Sequence, residues 1–173
     1  MAVTLDTTIG GASANAYCTL AEAATYHESH PYATVWEDAI DDERNRAIVT
    51  ATRLLDQHIG WFGWVVNSVQ ARQWPRVGCI TRGGAYPVLS TVVPEDVKRA
   101  TAELARQLLA SDRTADSDVE TQGLTSLTAG SVAMTFDQAR VKVKVIPDAV
   151  ASMIDYLGTV KARTATSVSL ARM

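Results

Sequence analysis

Two stretches of this sequence repeat apolar residues at the spacing of an α-helix, and a chain with two such faces must bury them, most simply against each other. The first is Ala47, Ile48, Ala51, Leu54 and Leu55, with Asp41 as candidate N-cap and Gly60 as its end. Acids in its first turn complement the helix dipole. The second is Val97, Ala100, Thr101, Leu104, Ala105 and Leu108, opened by Pro94 and fading at Ser111–Asp112. Together they predict the core of a mainly α fold.

The other elements are shorter. Thr19 followed by Glu22 is a capping box, and Leu20, Ala23, Ala24 and His27 then keep helical spacing until Pro31. Residues 1 to 18, rich in Gly, Ala, Ser and Thr, read as an extended lead-in. Residues 61 to 92 lack a helical period and hold Gly63, Gly78, Gly83-Gly84, Pro75 and Pro87, which predicts a loop with one or two short strands around the Gly-Gly turn. Val132, Met134 and Phe136, then Val141, Val143 and Val145, alternate with polar or small residues. They predict a β-hairpin at about 131–146 with Arg140, Lys142 and Lys144 on one face. Pro147 opens a last helix, with Val150, Met153, Ile154 and Leu157 inward and Gly158 as cap. The expected architecture is a small bundle of three to four helices with a β-hairpin and extended terminal arms: one domain over 1–158 and a flexible tail over 159–173.

With 47% hydrophobic and 20% charged residues, the 173-residue chain has the composition of a globular domain that needs neither disulfide nor metal to fold. Its apolar stretches fall short of the roughly 20 residues a membrane span needs. The first Lys or Arg is Arg44, so no basic segment of a secretory signal precedes an apolar run, and the chain is expected to stay in the cytoplasm of the cell that makes it. Cys18 and Cys79 fit no metal-ligand spacing and read as reduced structural thiols. Residues 1 to 43 hold eight acids and no Lys or Arg, whereas three bases and no acid follow Asp155. Opposite charges at the two ends suit contacts with different partners or a neighbouring copy.

No pattern points to catalysis. His27 and His30 share a helix face at the spacing of metal ligands, but Pro31 interrupts it and no third ligand is near, so they read as exposed helix-end histidines. Neither Gly10-Gly11 nor Gly83-Gly84 leads into a phosphate-cradling helix, and no nucleophile-elbow motif is present. The acids from Glu37 to Glu43 fit a solvated helix start. No catalytic, cofactor-binding or metal-binding residue is assigned. The richest constellation is Trp61, Phe62, Trp64, Arg72, Trp74 and Arg76. Aromatics interleaved with Arg can stack single-stranded bases, but in a Gly-containing connection they also serve as anchors of a protein interface or as lids over a helical core. Trp61, Trp64, Trp74 and Arg76 are therefore candidate contacts with a partner or neighbouring subunit. So are Arg140, Lys142 and Lys144 of the hairpin and Lys161, Arg163 and Arg172 of the tail.

Ala14-Asn15-Ala16-Tyr17 before Thr19-Leu20-Ala21-Glu22-Ala23 resembles the opening of the head-to-tail adaptor, or head-completion, proteins of tailed bacteriophages. Trp36, Arg46 to Asp56, Gln73-Trp74-Pro75-Arg76-Val77-Gly78 and Val93 to Ala100 follow in the same order, so the resemblance covers about residues 14–108. Its most specific part is the Trp-Pro-Arg-x-Gly element after a helix ending in Leu-Asp. Related sequences also carry the description of single-stranded-DNA-binding proteins similar to a primosomal protein. The resemblance implies a non-enzymatic virion protein of the neck, in a homo-oligomeric ring of about twelve copies closed by one repeated contact. Its implied partners are the portal protein and tail or stopper proteins, with duplex DNA passing through the lumen without sequence-specific binding. The alternative implied by the second description is single-stranded-DNA binding in phage replication. The longer basic tail beyond Gly158 departs from the adaptor pattern.

Overall fold

The structure is a computed structural model that describes residues 3–115 and 144–162, together with the backbone of 126–129 and 132–135. Five helices and six strands are present among them: α1 (Leu20–Glu28), α2 (Thr34–Asp38), α3 (Asp41–His58), β1 (Ile59–Trp61), β2 (Trp64–Val65), β3 (Arg76–Val77), α4 (Glu95–Ala110), β4 (Ser126–Ala129), β5 (Val132–Thr135), α5 (Asp148–Met153) and β6 (Gly158–Val160). The fold is thus mixed but mostly helical, with one short helix, α2, beyond the four expected. Five residues are too few for α2 to show a period; burial of Trp36 holds it in place.

The two periodic stretches become α3 and α4 and pack on each other. Ala47 and Thr50 of α3 lie near Leu108 and Leu109 of α4, so the helices run antiparallel. Ile48, Leu55, Val97 and Leu104 are fully buried between them, joined by Val150, Ile154 and Leu157 of the α5 region. The helix starts follow their signals. At α1, Glu22 N–H donates to Thr19 Oγ1 at 3.1 Å and Thr19 N–H to the Glu22 carboxylate at 2.7 Å. At α3 the N-cap position is Ile40, whose N–H donates to the Glu43 carboxylate at 3.2 Å, while Asp41 is the first helical residue.

Three expectations are corrected. The N-terminal lead-in is not an extended arm. Asp6 accepts from Thr8 N–H and Ser13 Oγ, Asn15 bridges Asp6 N–H and Thr4 O, and Asn45 Nδ2 donates to Val3 O at 3.0 Å. These bonds fold the segment back onto α3 and bury Ala14, Ala16, Tyr17 and Cys18. Next, β5 pairs antiparallel with the preceding β4, Ala129 opposite Val132, and the strand expected after it does not include Lys144, which precedes α5. Residues 136–143, and with them Arg140 and Lys142, lie outside the described residues. Finally, the tail does not leave the domain at residue 158. β6 pairs antiparallel with β1 in the register Ile59↔Val160, Gly60↔Thr159 and Trp61↔Gly158, and Lys161 N–H donates to His58 O at 2.8 Å. Residues 163–173 lie outside the described residues. Among the described residues no helix is long and apolar enough to cross a membrane.

Candidate interaction surface

Between α3 and α4 the chain makes an arm, Trp61 to Leu89, that carries the Trp-Pro-Arg element. Its base is a tight crossing of β2 and β3. Gly63 sits there at φ +65°, where a Cβ would come within 2.0 Å of Val77 O, so only glycine fits. Further out, Ile80 bridges Pro87 around the Gly83-Gly84 turn, where Gly84 N–H donates to Thr81 O at 2.7 Å.

Arg76 holds the base together. Its guanidinium donates to the backbone carbonyls of Phe62 and Gly63, both at 2.7 Å, and of Gln73 at 3.2 Å, and to Gln73 Oε1 at 2.9 Å. At 7% exposure its donors are turned inward. Trp74 is 1% exposed, meets Trp61 edge-to-face at 5.6 Å between centroids, and precedes a cis peptide bond to Pro75. Beneath them Tyr17 donates its hydroxyl proton to Asp56 and accepts Gln73 N–H at 3.1 Å. Arg72 stands 3.7 Å from the Asp56 carboxylate and donates to Ala14 O at 3.0 Å. The Ala-Asn-Ala-Tyr, Leu-Leu-Asp and Gln-Trp-Pro-Arg motifs, far apart in sequence, therefore meet in one buried junction. Burial there pushes the Tyr17 hydroxyl well above its ordinary pKa, and the neighbouring Asp56 adds to this. Burial also raises Asp56, with Tyr17 and Arg72 holding it down in part.

The outer face of the arm is different. Trp64 is 72% exposed, as is Tyr86, and Val66, Val69, Ile80 and Leu89 are exposed beside or beyond them. Trp64 rests on Gly78, whose absent side chain makes room for the indole. Of the aromatic–arginine constellation, then, the structure turns Trp74 and Arg76 into the fold, half-buries Trp61, and presents Trp64. Lys144 is ion-paired with Asp148 at 2.7 Å. Lys161 donates its ammonium to Gln57 O at 2.8 Å, at the negative end of the α3 dipole. Arg163 and Arg172 lie outside the described residues.

Tyr86, Val69 and Arg82 belong to this surface and went unmarked in the sequence; the only signal was the Gly-Gly turn that projects the arm. Arg82 anchors it, with its guanidinium 4.7 Å over the Tyr156 ring, donating to Met153 O at 2.7 Å and standing 3.3 Å from Asp155. The histidines are also placed otherwise than expected. His27 is buried, with its ring 4.5 Å from that of Trp36 and Nε2 3.1 Å from Ala102 O; burial brings its pKa down to about 4. Among the described residues no three His, Cys, Asp or Glu side chains are grouped to hold a metal.

No curated protein and no solved structure matches the chain. A family model does, over residues 1–173, and by that match the chain belongs to the family described as "Putative DnaT-like ssDNA binding protein".

Proposed function

We propose that the protein works by assembly and not by catalysis, as a subunit of the head-to-tail adaptor ring between the portal and the tail of a tailed bacteriophage. The observation that carries this reading is the division of the arm. The residues that make the aromatic–arginine pattern suggestive of nucleic acid, Trp74 and Arg76, have their polar and aromatic surfaces occupied within the subunit. What the arm offers outward is a contiguous apolar face with tryptophan and tyrosine, the composition of a protein interface core. The run of motifs resembling adaptor proteins adds to it, since Tyr17, Asp56 and Trp74 to Arg76 form the junction that holds the arm out.

Single-stranded-DNA binding is the second reading, and the family description favours it. Exposed Trp64 and Tyr86 would then be stacking platforms, each supplying about 1–3 kcal/mol per base. One pair of measurements separates the two. A labelled oligonucleotide should pass unretarded at about 0.15 M salt if the protein is an adaptor, and electron micrographs of virion necks should show its ring. Retardation that weakens steeply as salt rises, and is lost in Trp64→Ala, would establish the second reading instead.

A further inference from the structure

The arm is not the one unpartnered apolar patch. Tyr32, Val35 and Ile40 flank α2 and are exposed as well. Ile40 adjoins the start of α3, and Arg44 in its first turn lies over the Trp36 ring of α2. The arm leaves from the other end of α3, through β1. At 1.5 Å per residue the 18 residues of α3 set the two patches about 27 Å apart at opposite ends of one rigid helix.

Their charges are also opposite. Residues 61 to 92 contain three arginines and no carboxylate, and the Arg82 side chain is half exposed. Residues 28 to 43 contain six carboxylates and no Lys or Arg. Arg44 and Arg46 engage Asp41 and Asp42, while among the described residues Glu28, Glu37 and Asp38 have no ion-pair partner. Joining two copies through like patches would set carboxylates against carboxylates or guanidiniums against guanidiniums, whereas unlike patches match in both apolarity and charge.

We infer that the arm of one copy seats on the α2 corner of the next, Trp64 and Val69 against Val35 and Ile40, so that copies of this chain associate head to tail. This rests on the reading of the protein as an assembling subunit and names the two surfaces through which it assembles. A contact between different patches at opposite ends repeats from copy to copy, and closes into a ring when the rotation per copy allows.

The test uses full-length chains carrying Val35→Cys or Val69→Cys, both exposed positions, with the native cysteines buried. The variants are isotopically distinguished, mixed at high concentration and treated with a short bis-maleimide. Mixed covalent dimers should exceed those of either variant alone about tenfold, and the double variant should give a ladder of multimers. Trp64→Ser, with its circular dichroism unchanged, should remove the ladder. Equal cross-linking of Val69→Cys with itself overturns the proposal in favour of an arm-to-arm dimer. Multimers that form without mixed cross-links overturn the pairing of patches and leave the assembling reading standing. A chain that stays single overturns the contact, and if it also retards an oligonucleotide the adaptor reading falls with it.

Discussion

Arg76 shows how a residue can look like a binding group and be a structural one. Its donors satisfy carbonyls that the arm's turns leave without strand partners, so Arg76→Ala would strand several buried acceptors at once. A loss on the order of 3 kcal/mol in denaturant unfolding is expected, and Arg76→Lys should recover little of it because an ammonium cannot span the fork. An Arg76→Ala variant of unchanged stability would return the guanidinium to the list of free binding groups. His27 gives a pH dependence. Its folded pKa of about 4 lies below the unfolded value near 6.5, so the unfolded chain binds the extra proton and stability falls as pH drops through that window, by on the order of 2–3 kcal/mol. Asp56, raised by burial, acts in the opposite direction at the acid end. The comparison that isolates His27 is therefore wild type against His27→Gln, whose unfolding midpoint should change less between pH 6.5 and 4. Neither role was legible in the sequence, where Arg76 is a cation in an aromatic stretch and His27 one of a pair before a proline. The direction a guanidinium points, and what covers an imidazole, are set by residues far along the chain.

Elements differ in how plainly they announce themselves. α3 and α4 were readable because a long amphipathic helix repeats its signal over several turns, and Leu54→Ala or Leu104→Ala should each cost about 2–5 kcal/mol in thermal or denaturant unfolding. β1 and β6 were not readable. Each has three residues, and each includes a glycine that a strand search discounts. The glycine of β6 is there for space, since a Cβ on Gly158 would lie 2.7 Å from Ile59 Cγ2 and 2.9 Å from Gly60 O. Gly158→Ala should thus prise β6 from β1 and expose the chain after Leu157 to protease while α3 and α4 stay folded. Protection equal to wild type would mean that the pair is not held by close backbone approach. The same pairing makes the truncation point matter: removing residues after Ala162 leaves β6 intact, and removing them after Leu157 uncovers Ile59.

For the molecule as a whole, the helical core and the presence of an irregular arm were legible, because apolar period and glycine punctuation are local. The arm's division into a buried inner face and an apolar outer one was not, since it depends on Tyr17, Asp56 and Gln73 meeting across the fold. A salt series is the corresponding global measurement: an assembling subunit should retard no oligonucleotide at any ionic strength near physiological, whereas neutralising even a few phosphates gives a steep logarithmic slope. The β1–β6 ladder also governs how the protein comes into being. Ile59 waits for Val160, about a hundred residues later, before its strand has a neighbour. On the ribosome the helices can form early, but the sheet that seals the end of α3 cannot close until nearly all the described chain has emerged. Until then the nascent subunit keeps its arm base unsealed, so its maturation is tied to completion of synthesis and assembly cannot start on a half-made chain.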